Sequence, residues 1–192
     1  MSTPANILKQ YWGYSQFRPP QDKVIDAVLN KQDVLTILPT GGGKSICFQV
    51  PAMMLEGICL VITPLIALMQ DQVKQLKQRG IAAVAVHAGM HHREIDITLD
   101  NCIYGQQKFL YLSPERLQTE LFKERVKKMK VCLVAIDEAH CISQWGYDFR
   151  PPYLQIAELR DVLPNIPFIA LTASATKQVK DDIIQKLKFK QE

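Results

Sequence analysis

No apolar run in these 192 residues is long enough to cross a bilayer. The longest uncharged apolar stretch, Ile58 to Met69, is interrupted by Thr63 and Pro64 and falls well short of the ~20 residues that a spanning helix needs. The amino-terminal MSTPANILKQYW lacks the basic start, apolar run and small-residue cleavage site of a secretory signal, so a location inside the cell is expected, with no membrane partner. The five cysteines, Cys47, Cys59, Cys102, Cys132 and Cys141, are odd in number and form no CxxC pair. That argues against a thiolate metal clip and for free thiols in or near a core. Charge is scarce in net terms, +4 from 23 basic and 19 acidic residues, too little to identify a polyanionic partner. No Pro/Gly/Ser linker, internal repeat or low-complexity tract divides the chain, so a single domain is expected over residues 1–192. With 47% hydrophobic and 22% charged residues, disordered and collagen-like classes are excluded. A chain of this length buries roughly 70% of its unfolded surface and needs no metal or disulfide to be stable.

From Asp33 onward, short β-branched runs alternate with longer segments of helical period, which predicts parallel strands joined by helical crossovers. Strands are expected at Val34–Leu38, Cys59–Ile62, Ala82–Val86, Phe109–Leu112, Cys132–Ile136 and Phe168–Leu171. Helices are expected at about Gln21–Asn30, Lys44–Leu55, Leu65–Arg79, Glu94–Tyr104, Pro114–Lys127, Pro152–Leu163 and Lys177–Lys188. Pro51 should kink the second of these, and His91 and His92 read as solvated residues at a helix start. In the third, Leu65, Leu68, Met69, Gln72, Val73 and Leu76 recur at spacings of three and four and define one buried stripe. The fold class is α/β: a doubly wound, mostly parallel sheet flanked by helices. Such sheets bind ligands beyond the carboxyl ends of their strands, which is where chemistry should be sought.

Directly after the first strand stands LPTGGGKS, followed by a helix. Consecutive glycines leave backbone N–H groups free to converge on an anion, and the helix N-terminus adds partial positive charge. Lys44 adds a full charge, and Ser45 offers a hydroxyl to Mg²⁺. A nucleoside triphosphate uses all four, although Leu38 stands where the usual pattern has Gly. After the apolar strand VCLVAI come Asp137, Glu138, Ala139 and His140. Of the two adjacent carboxylates, Asp137 suits the magnesium and Glu138 suits orienting and deprotonating an attacking water. Either element alone has a bland reading, as a glycine-rich turn or a pair of solvated acids. Together in one sheet they match the division of labour of P-loop NTPases.

The quartet DEAH with TGGGKS resembles motifs I and II of superfamily 2 helicases, whose motor consists of two RecA-like domains. IDEAHCISQWGYDFRPP is similar to motif II and the aromatic-rich loop of RecQ-family DNA helicases. YWGYSQFRPPQ resembles that family's motif 0, with Pro20 where Gly is frequent; TPLIALMQDQV resembles motif Ia, and LTASAT motif III. The blocks keep the family's order: motif 0 at 11–21, I at 38–45, Ia at 63–73, II at 137–140, the aromatic-rich loop at 143–153 and III at 171–176.

The resemblance implies a RecA-like fold and ATP with Mg²⁺ as ligands. Thr40, Gly41, Gly42, Gly43, Lys44 and Ser45 would cradle the phosphates. Tyr14 would stack on adenine, with Arg18 and Gln21 contacting the base or nearby phosphates. Ser45 and Asp137 would hold the metal, and Lys44, Asp137, Glu138 and His140 would serve catalysis. Single-stranded and forked DNA are the implied polymers, read by Trp145 and Arg150. Phe149 is divided between contact and core, since aromatics of this loop could equally pack against the sheet. Thr63, Pro64, Ser113 and Arg116 are expected at DNA phosphates, while Thr172 and Thr176 would relay between motif II and DNA. A 3′-to-5′ polarity and a setting in DNA repair or recombination follow from the family alone. They would place the protein at a bacterial nucleoid or in a eukaryotic nucleus.

The chain stops soon after motif III, so the resemblance implies that the second RecA-like domain and its arginine finger lie outside it. Such a finger is worth about 10³–10⁵ in rate, and the isolated chain is expected to bind ATP weakly, hydrolyse it slowly and unwind nothing. Two other readings stay open. An RNA-dependent ATPase of the same superfamily is disfavoured by the aromatic loop and motif 0, and a nucleotide switch without hydrolysis is disfavoured by the complete acidic pair.

Overall fold

The computed structural model describes residues 2–190; the outermost positions of the expected domain, Met1, Gln191 and Glu192, lie outside the described residues. Helices and strands follow in the order α1 (Pro4–Ile7), α2 (Gln21–Leu29), β1 (Val34–Ile37), α3 (Ile46–Met54), β2 (Ile58–Ile62), α4 (Ile66–Gln78), β3 (Ala83–Val86), α5 (His92–Tyr104), β4 (Phe109–Leu112), α6 (Glu120–Val126), β5 (Val131–Ile136), α7 (Leu159–Val162), β6 (Phe168–Thr172) and α8 (Lys177–Lys186). The six strands form one sheet in the order β1-β6-β5-β2-β4-β3, and every pairing is parallel. Continuous apolar runs in the inner strands are what such a sheet demands, because helices cover both faces. Every residue of β2, β4, β5 and β6 is buried, whereas the edge strands β1 and β3 are only partly so.

Alternation along the strands divides the core into two layers. Ile58, Leu60 and Ile62 of β2 face the side packed with Leu99 of α5, Phe122 of α6 and Ile183 of α8. Cys59 and Val61 face the opposite side, with Val28 of α2, Phe48 of α3 and Met69 of α4. All five cysteines are free and buried. β6 lies between β1 and β5, so the segments that follow these three strands emerge side by side at one edge of the layer. A buried ion pair ties the opposite end: Arg160 Nη2 bonds Asp33 Oδ2 at 2.7 Å, and Asp33 also accepts from the backbone N–H groups of Phe168 and Lys190.

Several elements depart from the sequence expectation. The helix expected over 114–127 is broken into a 3₁₀ turn at Pro114–Gln118 and α6. Thr119 separates them, because its hydroxyl donates to Arg116 O at 2.8 Å and accepts from Phe122 N at 3.3 Å. The segment expected as helix over 152–163 is 3₁₀ through Pro151–Glu158 and α-helical only at Leu159–Val162. It opens on Pro151 and Pro152, which bring no N–H to a helical ladder. Regular helix begins at Ile46 rather than Lys44, since Lys44 and Ser45 belong to the turn of the glycine loop. α5 begins at His92, earlier than Glu94, with His91 extended at its N-cap. Leu65 is 50% exposed, outside the buried stripe expected of α4; its extended backbone at the N-cap turns it away from the face that buries Met69, Val73 and Leu76. The amino-terminal helix α1, continued by a π-helical turn over Leu8–Trp12, is absent from the sequence expectation. Among the described residues no helix is long and apolar enough to cross a membrane.

Candidate nucleotide and nucleic-acid site

The glycine loop leaves β1 and turns sharply before α3. Gly43 has φ +78°, a backbone conformation that favours glycine, and a Cβ there would lie 2.2 Å from Gln21 Nε2 and displace that amide. Among the described residues no side-chain hydrogen bond caps the start of α3. The backbone N–H groups of Gly43, Lys44 and Ser45 find no acceptor among the described residues. Three free donors at a helix N-terminus, beside the Lys44 ammonium, make an anion site.

Arg18 and Gln21 buttress this loop. Gln21 is buried; its Oε1 accepts from Arg18 N at 2.8 Å and its Nε2 donates to Gly43 O at 3.1 Å. Arg18 Nη1 reaches Gly41 O at 3.4 Å. Tyr14 is half exposed at the rim of the same cleft, where a ring face is available for stacking. The Pro19–Pro20 bond is cis.

Opposite the loop, β5 delivers the acidic pair. Asp137 is buried, its carbonyl accepts from Tyr153 Oη at 2.9 Å, and its Oδ1 accepts from Glu138 N at 3.0 Å. Burial, then the neighbouring Glu138 charge, pushes the Asp137 carboxyl up to about 6, against the opposing pull of the Glu138 N–H and the Lys44 charge. Glu138 takes a left-handed backbone, φ 50°, which swings its carboxylate towards the cleft that Lys44 and Ser45 share. His140 is buried, with Nδ1 2.8 Å from Thr172 Oγ1 and 3.4 Å from Glu138 Oε2. Burial lowers its pKa more than the Glu138 and Asp148 charges raise it, leaving a neutral ring at neutral pH.

The cleft between these elements has a volume of about 500 Å³ and is lined by Lys44, Ser45, Asp137, Glu138, Tyr14, Arg18 and Gln21 together. Magnesium fits the donor set: Ser45 and the buried Asp137 carboxylate line the same cleft, and Asp137 has no cationic partner within salt-bridge distance among the described residues. His140, Cys141 and Asp148 also bring possible ligand atoms within 4.8 Å of one another. There, however, Asp148 is bonded by Arg150 at 3.2 Å, and burial pushes the Cys141 thiol up to about 12. The cleft extends further than sequence reasoning indicated. Gln72, Gln75 and Arg79 of the α4 region and Trp12 form its far wall, with Arg79 5.9 Å above the Trp12 ring. No signal in the sequence marks these four as site residues; only the approach of Arg79, at the end of α4, to Trp12 does.

The residues expected at the polymer follow the carboxyl ends of the strands. Trp145 and Tyr147 are exposed, 67% and 75%. Tyr147 nevertheless stacks on His140, with ring centroids 4.4 Å apart, so the aromatic loop touches the acidic segment directly. The loop is anchored by Ser143 Oγ, which donates to Asp182 Oδ2 at 2.6 Å, and by Arg150 N, which donates to Cys141 O at 2.8 Å. Phe149 is half-buried. Thr63 and Ser113 are both buried, and the Thr63 hydroxyl has no hydrogen-bond partner among the described residues. Arg116 Nη2 donates to His87 O at 3.4 Å. Thr172 is buried against His140, whereas the Thr176 hydroxyl caps α8 by accepting from Val179 N at 3.3 Å.

Residues 18–182 match the DEAD/DEAH box helicase family. The chain is 46% identical over 188 residues to the ATP-dependent DNA helicase RecQ of Haemophilus influenzae, covering 98% of this chain and 30% of that protein. It is 47% identical over 189 residues to the RecQ of Bacillus subtilis, covering 97% of this chain and 32% of that protein. The chain thus spans about a third of the length of these relatives. Among solved structures, the DUF1998 helicase MrfA bound to DNA superposes with a TM-score of 0.80 at 17% identity over 98% of this chain and 28% of that one, a likeness of fold.

Proposed function

The chain belongs to the DEAD/DEAH box helicase family, and from that premise we propose that it is the first RecA-like domain of a RecQ-like DNA helicase. It would couple Mg-ATP hydrolysis to 3′-to-5′ movement along single-stranded DNA and to the opening of forked duplex. The observation that carries this is one cleft shared by Lys44, Ser45, Asp137 and Glu138, with His140 connecting the acidic pair to both Thr172 and the aromatic loop.

Each residue has a chemical task in this reading. The free N–H groups of Gly43, Lys44 and Ser45 and the Lys44 ammonium bind the β- and γ-phosphates, and Tyr14 stacks on the base. Ser45 and Asp137 hold magnesium, which supplies neutralisation of developing phosphate charge. Glu138 orients the attacking water and accepts its proton. His140, neutral and clamped by Thr172, reports the state of the acidic pair to Tyr147 and the loop that carries Trp145, whose exposed ring suits stacking on a base. The remaining cation at the transferring phosphoryl would come from a second RecA-like domain of a longer protein, and without it this chain would turn over slowly.

The test is ATPase activity of the full-length protein with single-stranded DNA and with RNA, repeated with Lys44→Ala and Glu138→Gln. Stimulation by DNA above RNA and loss of turnover in both variants are expected. Equal stimulation by the two polymers, or unchanged rates in the variants, would overturn the proposal.

A further inference from the structure

The inner face of the sheet carries a polar junction that neither nucleotide binding nor DNA contact accounts for. Tyr111, in β4, is fully buried. It sits in register beside Val61 of β2 and Ala85 of β3 and belongs to the core layer packed by α3 and α4. Its hydroxyl accepts from Gln49 Nε2 of α3 at 3.2 Å and donates to Gln72 Oε1 of α4 at 2.8 Å. The phenol has one hydrogen and spends it on Gln72, so the chain of donors runs in one direction from α3 through β4 to α4. Burial raises the pKa of this phenol above its ordinary range, which keeps that hydrogen in place.

Packing alone does not need this hydroxyl. Two residues earlier on the same face, Phe109 fills the equivalent space with a plain ring set edge-on to Phe48 at 6.5 Å. A buried amide, phenol and amide cost desolvation, and what such a satisfied network supplies in return is a single fixed arrangement of the elements it joins. Among the described residues no other side-chain hydrogen bonds lead from α3 to α4.

The two ends of the network are informative. Gln49 stands one turn beyond Ser45, its N–H donating to Ser45 O at 2.9 Å. Gln72 stands on the helix that begins just after Thr63 and Pro64, and Thr63 N itself donates to Leu112 O, next to Tyr111, at 3.1 Å. Both glutamines line the cleft that holds Lys44 and Ser45.

We propose that the Tyr111 hydroxyl is a positioning group that couples the DNA-facing helix α4 to the phosphate-loop helix α3. This rests on the function proposed above. Movement of α4 when a strand engages Thr63 and Pro64 shifts Gln72, and the rigid chain through Tyr111 transmits that shift to the turn bearing Ser45. Couplings of this kind between two sites are typically about 5- to 150-fold.

The test uses Tyr111→Phe in the full-length protein, which keeps the ring and removes only the hydroxyl. In the absence of DNA, the KM for ATP is expected within about twofold of the parent, while stimulation of kcat by oligo-dT falls at least about fivefold. Gln72→Leu, at the partly exposed end of the network, is expected to reproduce that loss, and the double variant should be no worse than either single one, as for members of one chain. A parent protein without DNA-stimulated turnover would refute the proposed function itself. A stimulated parent whose Tyr111→Phe variant retains full stimulation, or loses basal and stimulated rates in equal proportion, would overturn the coupling role. Should Tyr111→Phe melt below the assay temperature, the comparison is made below its melting point: retained stimulation overturns the proposal, and lost stimulation with a KM for ATP within about twofold of the parent supports it.

Discussion

The imidazole of His140 and the hydroxyl of Thr172 lie 2.8 Å apart and join the segment after β5 to the last residue of β6. Thr172 Oγ1 donates its one hydrogen to Ser174 O at 3.1 Å, so it accepts from His140, which assigns the ring proton to Nδ1. With Tyr147 stacked on its face, the His140 ring is held by partners from the end of β6 and from the loop after Ser143 at once.

Thr172→Val keeps the shape and removes the acceptor. The His140 N–H is then left with Glu138 Oε2 at 3.4 Å as its nearest alternative, and the cost of an unpaired buried donor is about 1–3 kcal/mol. Denaturant unfolding should show a loss of that size, whereas nucleotide affinity should change little because Thr172 does not line the cleft. An unchanged midpoint would show that this hydrogen bond contributes nothing net.

Asp137 predicts a pH dependence in magnesium-free, nucleotide-free protein. Its carboxyl titrates near 6 when folded against an ordinary value of 3.8, so the folded state binds this proton more tightly than the unfolded one. The corresponding stability is fully present below about pH 4 and is lost as pH rises through about 6. The difference amounts to roughly 3 kcal/mol at 1.36 kcal/mol per pH unit. Asp137→Asn should therefore be more stable than the parent at pH 7 and no more stable at pH 4, as read by thermal or urea unfolding at both values. A variant less stable than the parent at pH 7 would contradict the buried-charge account.

The strand order could not be read from composition, but the strands could, because a parallel sheet covered on both faces writes itself as apolar runs such as VCLVAI. The glycine loop and acidic pair were legible for a related reason: each follows such a run immediately, and their chemistry depends on local sequence. What escaped was non-local. The Thr119 break needs the side chain's bonds to both neighbouring turns, the outward Leu65 depends on its backbone at the helix start, and the far wall of the cleft depends on which helix the amino terminus packs against. The Thr176 hydroxyl caps α8, a local role separate from the relay expected of that residue. DNA contact by Thr63 rests on the proposal, since its hydroxyl is buried.

Asp33 illustrates the same limit and carries its own prediction. It precedes β1 without any motif around it, yet it pairs with buried Arg160 at 2.7 Å and accepts from Phe168 N at 2.8 Å. Removing one partner of a buried pair strands the other, at about 3–5 kcal/mol. Asp33→Ala should lower the unfolding free energy by that amount, with a smaller loss for Asp33→Asn, which keeps an acceptor oxygen. A change under about 1 kcal/mol, the scale of an exposed pair, would mean that water replaces the carboxylate.

Trp145 separates binding from stability most cleanly. Its ring is 67% exposed and makes no hydrogen bond through its side chain among the described residues, so Trp145→Ala should leave the unfolding midpoint within the ±0.5 kcal/mol usual for surface changes. If the ring stacks on a base, the same variant weakens oligo-dT binding by ~1–3 kcal/mol, measurable by fluorescence anisotropy on the full-length protein. Weaker binding without loss of stability is the expected pair of results. Unchanged affinity would move DNA contact away from Trp145, and weaker binding that tracks a lower melting point would make the ring structural.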